Sequence, residues 1–184
     1  MDAPGGSLPL AQPRHVVLIG MMGAGKSTVG RALAARLGVR YADNDEALVG
    51  AAGSSAASLA HDRGVDALHQ LEWRVLDEAL RRDDGAVVGA PGSIAFDEAR
   101  DAVLGGQLTV WLRARPETLA RHVEHDAARP LLGSDVVESL THLAAAREPV
   151  YARLADVTVD VDGLTVGDVV ERVLAALPED LLRA

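Results

Sequence analysis

The chain has 184 residues, 48% hydrophobic and 24% charged, proportions that suit one globular domain and exclude disorder as its main state. No apolar run reaches the roughly 18 residues of a membrane helix, the opening residues lack the charged-then-apolar order of a secretion signal, and the absence of cysteine excludes disulfides, thiolate nucleophiles and Cys-type zinc sites. A formal charge of −9 leaves no basic footprint for nucleic acid, so any anion must be bound by local design. The expectation is a cytoplasmic protein that serves a small molecule, a monomer or weak dimer with neither nucleic acid nor membrane as partner.

Residues 1–14, with Pro4, Gly5, Gly6, Pro9 and Pro13, read as a flexible tail, and 15–184 as one domain. The run His-Val-Val-Leu-Ile at 15–19 is short, apolar and closed by Gly20, the pattern of a strand buried on both faces of a parallel sheet. A helix is expected over 27–37, with Val29, Leu33 and Leu37 in period and Gly38 as C-cap. A second strand at 39–42 leads to an acidic turn, Asp43-Asn44-Asp45, then to a stretch of small residues over 47–60 and a helix over 65–80. Strands are expected at 86–88 and 108–112, trailed by helices at 96–103 and 116–122. Ser134 or Asp135 can cap a helix running to Arg147, 157–161 reads as the last strand and 165–177 as the last helix. Such alternation predicts an α/β layered fold with a mainly parallel sheet.

Gly20-Met21-Met22-Gly23-Ala24-Gly25-Lys26-Ser27 fits the phosphate-loop pattern G-x-x-x-x-G-K-S/T and lies between a predicted strand and a predicted helix, the context its chemistry needs. Glycines let successive backbone N–H groups turn inward around a phosphate, and the helix start adds the positive end of its dipole. Lys26 can reach the outer phosphates and the Ser27 hydroxyl can ligate Mg2+. Lys26 is also the one lysine among 18 basic residues; a compact ammonium between two phosphates is poorly replaced by a planar guanidinium. Asp43 and Asp45 follow the second strand directly. At the carboxyl end of a parallel sheet such acids lie beside a phosphate loop, where one can hold the magnesium shell and the other can take a proton from a substrate hydroxyl. The alternative is an acidic turn that caps the next helix.

Further on stand Arg129-Pro130-Leu131-Leu132 and Arg147-x-x-x-Tyr151. Taken with 20–28 and Asp43-x-Asp45, they resemble the shikimate kinase family in order and spacing across about residues 15–177. The resemblance implies a P-loop NTPase fold of the nucleoside-monophosphate-kinase type: a parallel five-stranded sheet flanked by helices, a substrate-binding segment at about 45–80 and a lid at about 123–134. It implies ATP and Mg2+ as cofactors and transfer of the γ-phosphate to a hydroxyl, nominally from shikimate to shikimate 3-phosphate. Carried over by position, Gly23, Ala24, Gly25, Lys26, Ser27 and Thr28 would serve the nucleotide, with Arg121 near the adenine. Ser27 and Asp43 would serve the metal. Asp45 would bind the acceptor hydroxyls and act as base, Arg129 would close over the transferring phosphate, and Arg147 and Gly92 would meet the acceptor, the arginine by clamping its carboxylate.

Two departures fall on the acceptor side. The family has Phe-Arg-x-x-Glu on the helix of the substrate segment, where this chain has Leu68-His69-Gln70-Leu71-Glu72, so an imidazole stands in place of a permanent charge. The family's three consecutive glycines after the third strand become Ala90-Pro91-Gly92; Pro91 removes an N–H, and Ala90 adds a Cβ where positive φ or close approach is expected. These changes keep two alternatives in view: a kinase for another cyclic or acidic polyol, and an ATP-binding module without phosphotransfer. A nucleoside monophosphate kinase fits less well, since Arg63 is the single arginine between Asp45 and Glu72. His122, His125 and Asp126 lack a fourth ligand for a metal, and Trp73 and Trp111 read as packing residues.

Overall fold

A computed structural model describes residues 15–96, 102–123 and 135–178. Five parallel strands, β1 (His15–Ile19), β2 (Arg40–Asp43), β3 (Ala86–Gly89), β4 (Leu108–Arg113) and β5 (Val157–Asp160), form one sheet in the order β2-β3-β1-β4-β5. β1 is central, with Val17 in register with Val88 on one side and Thr109 on the other. Every residue of β1 is buried, which explains why it reads as a continuous apolar run: flanking helices cover both faces.

Helix α1 (Lys26–Leu37) starts at Gly25, whose φ of 88° places it in the left-handed region, and ends at Gly38, whose N–H reaches Ala34 O as the C-cap expectation requires. α1 packs on β3 and on α7 (Val166–Ala176), while α5 (Pro116–Val123) packs on α6 (Val136–Leu154). The core runs from Leu18, Leu33 and Leu76 through Leu112 to Leu119 and Val173. No helix among the described residues is long and apolar enough to cross a membrane.

Three expectations need correction. The segment at 43–60 is neither a turn nor a plain stretch of small residues but two helices, α2 (Asn44–Ala52) and α3 (Ala56–Arg63), capped by the side chains of Asp43 and Ser55. Small residues gave no readable period; the helices are held because Leu48 and Leu59 close a second small core with Leu68 of α4 (Val65–Leu80). Phe96, expected to open a helix over 96–103, instead closes a 3-10 turn at Gly92–Phe96, and 97–101 lie outside the described residues. α6 continues past Arg147, through Pro149, to Leu154, because Tyr151 one turn further on is fully buried beside Trp111. The tail at 1–14 and nearly all of the lid at 123–134 lie outside the described residues.

Candidate functional site

Because all five strands run the same way, their carboxyl ends share one edge of the sheet, and each loop that leaves this edge supplies part of the site. The phosphate loop follows β1. Gly20, Gly23 and Gly25 all have positive φ, and Gly23 is further constrained by close approach: a Cβ there would lie 2.8 Å from Leu119 O and 2.9 Å from Val123 Cγ2 of α5. His122, also on α5, bonds Gly23 O through Nδ1 at 2.8 Å, so this histidine ties the loop to the helix. Among the described residues no group of three or more His, Asp or Glu side chains could hold a metal; His125 and Asp126 lie outside them.

Lys26 folds back across the loop, its Nζ donating to Gly20 O at 2.9 Å and Met21 O at 3.2 Å. No acidic residue occupies the first turn of α1, so the positive end of its dipole is not offset from within the helix. Ser27 and Thr28 follow Lys26 in that turn. The loop therefore fits a polyphosphate: positive-φ glycines and an ammonium stand at the start of a helix, and added Cβ atoms at Gly20 or Gly23 would collide with backbone.

Asp43 ends β2 with its side chain 7% exposed. Its side chain caps the next helix, as one of the two readings of the acidic turn expects. One carboxylate oxygen caps α2 by accepting from Asp45 N–H at 3.0 Å, and the other lies 3.5 Å from Arg31 Nη2, while the residue still faces the phosphate loop across Tyr41. Ser27 and Asp43 make an all-oxygen donor set, which suits a hard cation such as Mg2+.

The acceptor side converges on Glu72, a residue that sequence reading noted without assigning to the site. Glu72 is half-buried on α4, accepts a hydrogen bond from Ser93 Oγ at 2.5 Å, and feels the charges of Asp45, Arg147 and Lys26. Burial is the largest cause of its raised pKa, with Asp45 acting in the same direction; Ser93, Arg147 and Lys26 oppose it. Ser93 thus touches this carboxyl group, and the charges of three other segments act on it.

Arg147 lies inside this cluster, 9% exposed, and its Nε has no hydrogen-bond partner among the described residues. The guanidinium carbon sits 4.6 Å from the centroid of Phe96, and a Cβ at Gly92 would come within 2.9 Å of Nη1. A side chain at Gly92 would therefore push the guanidinium from its present place. His69 stacks on Phe96 with ring centroids 5.3 Å apart, which brings it to the same cluster. Phe96 was missed from sequence because it had been read into a helix. Ala90 is accommodated without strain: no non-glycine residue among those described has positive φ, its methyl is buried, and its N–H donates to Leu18 O at 2.9 Å. Arg121 is exposed on α5, donating to Thr118 Oγ1 at 3.1 Å, and Arg129 lies outside the described residues.

This geometry agrees with comparison to known proteins. The family model described as shikimate kinase matches residues 22–178. A shikimate kinase of Rhodopseudomonas palustris is 38% identical over 174 residues, 93% of this chain and 84% of that protein; one from Symbiobacterium thermophilum is 35% identical over 168 residues, 90% and 97%. A structure of the Acinetobacter baumannii shikimate kinase in complex with shikimate superposes with a TM-score of 0.83 at 26% identity, covering 90% of this chain and 93% of that one. A gluconokinase from Sinorhizobium meliloti, at 21% identity and a TM-score of 0.64, shares the fold. The chain belongs to the shikimate kinase family, ATP-dependent phosphotransferases with a hydroxyl acceptor.

Proposed function

We propose that this protein transfers the γ-phosphoryl group of ATP to a hydroxyl of shikimate, with Mg2+ held by Ser27 and Asp43. The observation that carries the acceptor half is Arg147, a buried guanidinium with an unpartnered Nε beside Gly92 and Phe96: a site that invites a carboxylate and leaves a desolvated donor without one. Shikimate supplies such a carboxylate on a ring that carries hydroxyls, and relatives of this chain are named for it.

The phosphate loop and Lys26 orient the triphosphate, and Asp45 accepts the proton of the attacking hydroxyl as its oxygen forms the new bond to phosphorus and ADP departs. Magnesium neutralises charge on the phosphates when bound. Glu72 fixes the loop after β3 through Ser93 and so sets where Gly92 and Arg147 meet the acceptor. By its position in the family motif Arg129, outside the described residues, is assigned to the transferring group.

A second reading, a different cyclic or acidic polyol as acceptor, draws on His69. The imidazole is engaged with Phe96, so the acceptor side presents one permanent guanidinium where the family pattern carries two. Coupled ADP-release assays with shikimate, quinate and a panel of polyols separate the two readings. ADP release above background with shikimate supports the first, release with another acceptor alone supports the second, and none with any acceptor defeats both.

A further inference from the structure

Tyr41, on β2, has no place in the chemistry described so far, yet the chain around it is cut to fit it. An added Cβ at Gly30 of α1 would lie 2.2 Å from Tyr41 Cε2, and one at Gly89, the last residue of β3, would lie 2.4 Å from the phenol oxygen. Neither glycine has the positive φ that would otherwise explain it. Two glycines from separate elements therefore leave a notch for one ring and its hydroxyl.

Into that notch the phenol brings its oxygen to the metal side of the phosphate loop. It donates to Lys26 O at 3.5 Å, and it lies close enough to the Ser27 hydroxyl and the Asp43 carboxylate that, beside the larger rise caused by burial, Asp43 raises and Ser27 lowers the pKa of the phenol. Arg31 covers the ring face at 5.3 Å from its centroid and sits 3.5 Å from Asp43. A serine can offer lone pairs to a cation only if its proton points elsewhere. Tyr41 can accept that proton and turn its own from the long bond to Lys26 O towards Asp43, a relay that leaves lone pairs of Ser27 and Asp43 for a cation.

We propose that Tyr41 is a positioning residue of the metal–phosphate site: its hydroxyl, seated in the notch between Gly30 and Gly89, sets the orientations of Ser27 and Asp43. The inference rests on the reading of those two side chains as the magnesium residues.

The test measures ADP affinity by calorimetry, with Mg2+ and with EDTA, for the wild type, Tyr41→Phe, Gly89→Ala and the double variant. Tyr41→Phe keeps the ring and removes the hydroxyl alone, so its melting temperature verifies folding. Its Mg2+-dependent gain in ADP affinity is expected to fall about 10-fold, with affinity in EDTA unchanged. Gly89→Ala is expected to reproduce this loss by displacing the hydroxyl. In the double variant the added methyl meets Cζ at 3.4 Å and Cε2 at 3.7 Å, both ordinary contacts, so no further loss follows. A merely structural role would make the two losses add and would lower affinity in EDTA as well. A wild-type Mg2+ gain retained in Tyr41→Phe overturns the proposal. Absence of any Mg2+ gain in the wild type overturns the magnesium reading itself, and the proposal with it.

Discussion

Ser93 Oγ donates to Glu72 Oε2 at 2.5 Å and so locks the loop after β3 to the middle of α4, the two elements that carry Gly92 and His69. This bond lowers the Glu72 pKa but does not outweigh burial, which raises it. Between the ordinary glutamate value of about 4.3 and the raised one, the unfolded chain has released this proton while the folded chain holds it. Stability therefore falls as pH rises through that window, and the loss is complete above it. Glu72→Gln, neutral at every pH, is expected to remove this component. Urea unfolding of both proteins in steps from about pH 4 to 8 reads it as a difference that grows with pH in favour of the variant. A constant difference would show that Glu72 is not the titrating group.

Lys26 is expected to resist its most conservative replacement. Its ammonium donates to Gly20 O and Met21 O, a pair of contacts that a compact charge makes and a planar guanidinium on a different stem does not reproduce. Lys26→Arg should lower turnover by at least about 100-fold, or about 2.7 kcal/mol of transition-state stabilisation, while the melting temperature stays close to that of the wild type. Steady-state assays paired with thermal unfolding check both halves of this expectation.

Gly23 and Gly38 separate conformational strain from steric collision. Both have positive φ, 79° and 69°, but a Cβ at Gly38 meets open space whereas one at Gly23 meets Leu119 O and Val123 Cγ2 below 3 Å. Gly38→Ala should cost about 1 kcal/mol, the left-handed penalty alone, and Gly23→Ala about 2 kcal/mol more. At roughly 2–4 °C per kcal/mol for a domain of this size, calorimetric scans resolve the two. Equal losses would mean that α5 moves aside without cost.

Arg147 and His69 should act on the acceptor and not on the nucleotide. Losing the fork of Arg147 in Arg147→Lys is expected to raise the acceptor KM about 10- to 100-fold, the worth of one charge-assisted contact of about 1.5–3 kcal/mol, and to leave the KM for ATP within twofold. His69→Arg adds a permanent charge to a cluster that already holds one guanidinium, so its effect on shikimate affinity should be smaller, a severalfold tightening. A change in the KM for ATP from either variant would place these residues on the wrong half of the site.

Sequence alone determined the parts whose chemistry is local. The phosphate loop from Gly20 to Ser27 declares itself because strand, glycines, lysine and hydroxyl must be consecutive, and β1 declares itself because a doubly covered strand is apolar at every position. Asp43 was legible for the same reason, as the residue at which a strand ends. Tertiary structure alone decided the rest. Helices α2 and α3 exist because Leu48 and Leu59 find Leu68, a contact that no run of alanines and serines announces. Glu72, Ser93, Phe96 and Arg147 become one cluster because α4, the loop after β3 and α6 converge, and Ala90 fits there without positive φ because its N–H bonds to Leu18 O. Motif chemistry is written in adjacency along the chain; an acceptor site assembled from distant segments is written in packing, which only the folded chain displays.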